Sequence, residues 1–130
     1  MPDGQVGVIL YVEDDAVVRL SLATALEDAG FVVREVGDGK EALAALEAGG
    51  EAVRGLVTDV NLGADPDGWA VARKAREREA TLPVVYVSGE SQEAWAANGV
   101  PNSVLIAKPF VPTQVVVALS MLLNTASGTS

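Results

Sequence analysis

Cysteine and histidine are both absent from this 130-residue chain. Without Cys there are no disulfides and no thiolate metal sites; without His there is no imidazole ligand, no His-based triad and no phosphohistidine on the chain itself. Aromatics are scarce, with two each of Trp, Tyr and Phe. Basic residues are outnumbered, 9 Lys plus Arg against 18 Asp plus Glu, for a formal net charge of −9. That sign argues against binding a nucleic-acid backbone or an anionic membrane surface. No apolar run approaches the ~18 residues of a membrane helix, and Met1–Gln5 is too short and polar for a signal peptide. The expectation is a cytoplasmic protein with neither nucleic acid nor membrane as partner. What stays open is carboxylate chemistry.

Apolar residues make up 49% of the chain, enough for one domain over residues 1–130 to bury a core without covalent staples. That core is expected from about residue 6 to residue 124, with a frayed polar tail at 125–130. Five short runs rich in Val, Ile and Leu read as strands: Val6–Val12, Phe31–Val36, Gly55–Thr58, Pro83–Ser88 and Ser103–Ala107. Helical spacing fills the gaps. Val18, Leu22, Ala25, Leu26 and Ala29 share one helix face, and Gly30 follows as a stop. A second helix opens at Asp38 and closes at Gly49-Gly50. A third, Gly68–Ala80, is apolar at Val71, Ala72 and Ala75, with Arg73, Lys74, Arg76 and Arg78 expected in solvent. Ser91–Asn98 is a short fourth, and a fifth runs from Pro112 to about Asn124. Strand–helix alternation of this kind predicts an α/β domain whose parallel sheet is covered by helices on both faces. Chemistry in such sheets gathers at the carboxyl ends of the strands.

Those ends are distinctive. Glu13-Asp14-Asp15 follows the first strand, and Asp59 and Asn61 follow the third. Ser88-Gly89-Glu90 ends the fourth, and Lys108-Pro109-Phe110 the fifth. Each has an ordinary reading alone: Asp14 or Asp15 as a helix cap, Asp59 as a turn former, Ser88 as a cap, Lys108 as a solvated charge. Brought to one sheet edge, they describe a site. Crowded carboxylates raise one another's pKa unless a cation intervenes. Glu13, Asp14 and Asp59 offer hard oxygen ligands suited to Mg²⁺, which keeps waters and accepts phosphate oxygens. With Lys108 as a fixed charge and Ser88 as a hydroxyl donor, the set suits phosphoryl transfer, where positioning and neutralisation do most of the catalysis. Asp59, at the end of the central strand, is the expected nucleophile.

The stretches VILYVEDD (Val8–Asp15), LVTDVN (Leu56–Asn61), VVYVSGE (Val84–Glu90) and IAKPF (Ile106–Phe110) together resemble the receiver domain of two-component response regulators, from about Val8 to Leu123. The resemblance implies a flavodoxin-like (βα)5 fold with strand order 2-1-3-4-5, one of the common doubly wound orders. It implies that Asp59 takes a phosphoryl group from a sensor histidine kinase or phosphotransfer protein, with Mg²⁺ required. By position, Asp14 would bind the ion directly, Glu13 through water and Asn61 through its backbone carbonyl. Ser88 would hydrogen-bond the phosphoryl group beside Gly89, and Lys108 would pair with it. Lys108-Pro109 resembles the family's cis peptide.

Three departures from the family pattern stand out. The loop Leu62–Gly68 carries the extra acids Asp65 and Asp67, and the stretch from Asp59 to Gly68 is one residue longer than usual. Leu105 occupies a position where the family often has Tyr or Phe, so the aromatic through which rotamer coupling would run is missing. No charged residue follows Lys108, and the last helix carries Val115, Val116, Val117, Leu119, Met121, Leu122 and Leu123. One apolar stripe suffices to cover a sheet, so the surplus, extended by Trp95, predicts an exposed apolar face on the fourth helix, fifth strand and fifth helix that binds a downstream protein or a second copy.

Several rival readings are weaker. Gly37-Asp38-Gly39-Lys40-Glu41-Ala42 fits a dinucleotide motif, but it follows the second strand, and its acids would repel a pyrophosphate; a turn with a helix cap explains it better. The alternation Asp59, Asn61, Gly63, Asp65, Asp67 suggests a calcium loop but has Ala64 and Ala70 where Gly and Glu are needed. An aspartyl-nucleophile phosphatase would place a second Asp where Asn61 stands. The expectation is therefore a stoichiometric phosphoacceptor rather than an enzyme: a stand-alone regulator, shuttle or sink, with a phosphorylation-independent binding module as the alternative.

Overall fold

Consecutive apolar residues can all be buried only in a strand covered on both sides, and the first and fourth strands meet that condition. In the structure, a computed structural model describing residues 7–48 and 52–126, β1 (Val8–Val12), β3 (Val53–Asp59) and β4 (Val84–Ser88) form the centre of a parallel sheet. β2 (Val33–Val36) and β5 (Val104–Ala107) are its edges, giving the order β2-β1-β3-β4-β5. Every residue of β1 and β4 is buried, whereas Arg34 and Glu35 on edge strand β2 are exposed. The strand order and the five helices are those of the flavodoxin-like (βα)5 fold expected from the motifs.

Helices α1 (Ala16–Asp28), α2 (Gly39–Ala48), α3 (Gly68–Arg78), α4 (Gln92–Asn98) and α5 (Pro112–Ala126) cross between the strands. Their starts are set by short polar side chains that satisfy orphan backbone donors. Asp15 accepts from the N–H of Val17 and Val18, Asp67 from Ala70 and Ser91 from Ala94. At α2, Asp38 accepts from the Glu41 N–H at 2.8 Å while Glu41 reaches back to the Gly37 N–H at 2.6 Å. That reciprocal cap accounts for the Gly-Asp-Gly run without a nucleotide. Gly30, at φ +100°, takes the left-handed turn after α1.

Alternate strand residues feed two cores. Ile9, Tyr11, Val57, Val85 and Val87 pack under α1 and α5, against Leu22, Leu26, Val115 and Leu119. Leu10, Val12, Leu56, Val84 and Tyr86 pack under α2 and α3, against Leu46, Trp69, Val71 and Ala75.

The sequence reading needs correction at several points. α5 continues through Thr125 and Ala126 rather than stopping near Asn124; the rest of the expected tail, the Val6 start of the first strand and the Gly49-Gly50 stop lie outside the described residues. α3 ends at Arg78, and Arg76 is half-buried rather than fully in solvent. Its guanidinium donates to the carbonyls of Leu82 at 2.7 Å and Pro101 at 2.6 Å, tying α3 to the base of β4 and to the α4–β5 turn. Trp95 turns inward, packs on the α2–α3 core and donates Nε1 to Ser103 Oγ at 2.9 Å, so it does not extend an apolar outer face.

Candidate functional site

Because the strands are parallel, their carboxyl ends share one edge, and the expected residues meet there. Asp59 is the last residue of β3 and only 5% exposed. Lys108, just past β5, points its Nζ at Asp59 Oδ2 from 2.7 Å. The ends of β4 and β5 are joined by the Lys108 N–H donating to the Ser88 carbonyl at 2.9 Å. Glu13, Asp14 and Asp59 each bring a carboxylate oxygen within 4.8 Å of the others. The neighbouring Asp15 takes the capping role, leaving Asp14 free of it.

The remaining candidates are placed less tightly. Asn61 is exposed; its N–H donates to Asp59 Oδ1 at 3.2 Å, and its side-chain oxygen accepts from the Gly63 N–H. Ser88 is buried and its Oγ accepts from the Glu90 N–H at 3.0 Å, folding the start of the β4–α4 loop over the strand end. Ser91, not Ser88, caps α4. Gly89 is exposed, and a Cβ there would meet nothing within 4 Å. The peptide bonds before Pro66 and Pro109 are cis.

Electrostatically the pocket is short of positive charge. Burial, reinforced by the charge on Asp59, pushes the Glu13 carboxyl up to about 7 despite a hydrogen bond from the Asp15 N–H. Burial draws Lys108 down, but the hydrogen bond and charge of Asp59, with Glu13 and Asp14 behind it, leave its ammonium above the usual lysine value. Three carboxylates face one ammonium. Glu13 Oε2 accepts the Asp15 N–H at 3.2 Å, whereas its buried Oε1 has no hydrogen-bond partner among the described residues. A buried, unpartnered carboxylate oxygen beside two more carboxylates is the donor set a hard divalent cation takes, so the residues present fit Mg²⁺.

Two close approaches shape the pocket. A Cβ on Gly68 would collide with the Asp59 carbonyl, and one on Gly39 with the Pro66 carbonyl. Only glycines let α3 start directly against the end of β3 and let α2 abut the Asp65–Pro66 turn.

The fold and the order of its motifs have known relatives. The model of the response regulator receiver domain matches residues 9–120. The chain belongs to the response regulator receiver family. A receiver protein from Sinorhizobium medicae superposes with a TM-score of 0.89 at 43% identity, covering 94% of this chain and 98% of that one. The receiver domain of the hybrid histidine kinase CckA gives 0.74 at 30% identity, over 90% and 99% of the two chains. The transcriptional regulatory protein ResD of Bacillus subtilis is 35% identical over 124 residues, 94% of this chain and 50% of ResD. This receiver thus spans 50% of the length of ResD and of the transcriptional regulatory protein GltR of Pseudomonas aeruginosa, and 9% of the sensor kinase CckA of Brucella abortus.

Two features of the receiver escape the sequence reading. Val17 and Leu20, on the first turns of α1, are 79% and 66% exposed, and Val18 lines a groove with Lys108, Pro109 and Phe110. The sequence signal is there, since neither Val17 nor Leu20 lies on the predicted core stripe. Tyr11 is fully buried, with a phenol oxygen that has no hydrogen-bond partner among the described residues; its parity with Glu13 along β1 is the available clue.

Proposed function

We propose that this receiver takes a phosphoryl group onto Asp59, in a Mg²⁺-dependent reaction, from a phosphohistidine on a sensor kinase or phosphotransfer protein. The observation that supports this best is the setting of the Asp59 carboxylate, buried between the Lys108 ammonium at 2.7 Å and the carboxylates of Glu13 and Asp14. An Asp59 oxygen attacks phosphorus, the phosphorus–nitrogen bond of the donor breaks, and an acyl phosphate forms on Asp59. Mg²⁺, when bound, offsets negative charge on the phosphoryl oxygens and the carboxylates. Glu13 and Asp14 would hold it, together with Asp59 and the Asn61 carbonyl. Lys108, freed from its pairing with the bare carboxylate, would follow the charge outward to the phosphoryl group, and Ser88 at the neighbouring strand end would hydrogen-bond it beside Gly89.

The donor protein docks on the α1 side. Val17 and Leu20 present apolar surface one turn from Glu13 and Asp14, and the Val18, Pro109 and Phe110 groove lies beside Lys108. Phosphate on Asp59 would then shift the β4–α4 loop and the β5–α5 side of the molecule. Val117 and Met121 on α5 are exposed beside Val104 and Ile106, making an uncharged apolar groove for a downstream protein or a second copy. Leu105, packed on the α2–α3 core, replaces the aromatic through which the family often couples these events. The apolar groove on α5 supports protein contact as the output, as a regulator, shuttle or sink.

A phosphatase reading has less support. The Asn61 backbone is bonded to Asp59 and its side-chain oxygen to Gly63, and an amide cannot serve as general acid. Incubation with acetyl phosphate tests the proposal. Mg²⁺-dependent labelling that vanishes in Asp59→Asn supports it; labelling retained in that variant moves the acceptor elsewhere.

A further inference from the structure

Tyr11 and Glu13 are two apart along the chain at the end of β1, so their side chains rise on the same sheet face. Tyr11 pairs with Val57 on β3, and Asp59 lies two residues beyond Val57. The phenol therefore stands one pleat beneath the carboxylates, on the face covered by α1 and α5. Its oxygen and Glu13 Oε1 are the two buried side-chain polar atoms without a hydrogen-bond partner among the described residues. One is a donor and the other an acceptor. Packing does not explain the hydroxyl: among Leu22, Leu26, Val115 and Leu119 a phenylalanine would fill the same space without an unsatisfied polar group.

We propose that Tyr11 is a positioning residue for the cation site: its Oη donates to one buried water that in turn donates to Glu13 Oε1, and so holds the carboxylate where it can serve a divalent ion. A phenol is a protonated hydrogen-bond donor at neutral pH, so the group can fill this role without ionising. Partners that orient a ligating carboxylate in this way commonly change metal affinity by 10-fold or more when removed.

The inference rests on the acidic pocket holding Mg²⁺, so the full chain is first titrated with Mg²⁺ by calorimetry. Tyr11→Phe is expected to weaken binding ~3- to 10-fold, and to add no further loss in a Glu13→Gln background, because the phenol acts through that carboxylate. Unchanged affinity in Tyr11→Phe, or the same loss in both backgrounds, would overturn it. A second readout needs neither metal nor a substituted tyrosine. In the metal-free protein, the tyrosine Raman doublet should carry a hydrogen-bond-donor component that changes in Glu13→Gln; a doublet indifferent to that substitution rejects the contact even if wild type fails to bind Mg²⁺. Failure of the cation reading alone shows instead as no Mg²⁺ binding with the doublet response intact.

Discussion

Lys108 Nζ meets Asp59 Oδ2 at 2.7 Å across 49 positions of sequence, joining the end of β5 to the end of β3. The pair is lopsided: the carboxylate is nearly buried while the lysine side chain is 34% exposed. Lysine's flexible stem lets the ammonium stay with Asp59 and still move outward when charge appears there.

Removing that ammonium leaves three carboxylates without a fixed cation. Lys108→Gln is expected to tighten Mg²⁺ binding by ~3- to 10-fold, since a positive charge no longer competes for the same oxygens. Phosphoryl uptake from acetyl phosphate should slow by ~10-fold or more, because a donor aimed at the transferring group is gone. Calorimetry and a labelling time course measure the two opposed effects.

Glu13 predicts a pH dependence of a definite sign. Its folded-state pKa, pushed up to about 7, lies above the ordinary 4.5. Its contribution to stability is therefore intact below about pH 4.5 and lost as pH rises through 7. Without metal, wild type should lose up to roughly 3 kcal/mol relative to Glu13→Gln between about pH 5 and pH 8. Urea melts in chelator follow that difference, and added Mg²⁺ should abolish it.

Gly68→Ala should be costly out of proportion to one methyl group. The new Cβ would strike the backbone of Asp59 and Val60, so α3 must move away from the strand end. A loss of about 2 kcal/mol or more is expected in urea melts, of the size overpacking produces. Labelling of Asp59 should fall in the folded variant as well, since the displaced carbonyl belongs to the acceptor itself.

The apolar groove on α5 predicts the reverse: little effect on stability and a clear effect on association. Val117→Lys with Met121→Glu replaces two side chains that are 50% and 64% exposed. Stability should shift by no more than about 0.5 kcal/mol. Sedimentation equilibrium of the phosphorylated form should move toward monomer, and equal mass with and without the substitutions would exclude this groove as the contact between copies.

Much of the receiver is legible in its residues. Unbroken apolar runs at β1 and β4 can be buried only between two helical layers, which implies the parallel sheet and brings Asp14, Asp59, Ser88 and Lys108 to one edge. Asp38 with Glu41 announces a helix cap by spacing alone. Arg76 and Trp95 are misplaced by such reasoning because periodicity reports which face of a helix an amino acid occupies, not what lies opposite it. The backbone carbonyls that hold Arg76 come from the Leu82 and Pro101–Asn102 turns, and the Ser103 hydroxyl that turns Trp95 inward arrives with β5.

Composition and order thus determined the architecture and the identity of the acidic and basic groups, since apolar strand runs and helix caps act along local stretches. Distances were decided only by the assembled sheet. Whether Glu13 keeps an unpartnered oxygen, whether Tyr11 rises beneath it, and whether Val17, Leu20 and Met121 face solvent depend on strand register and helix rotation. Those are collective packing outcomes, settled when five strands and their helices compete for one interior.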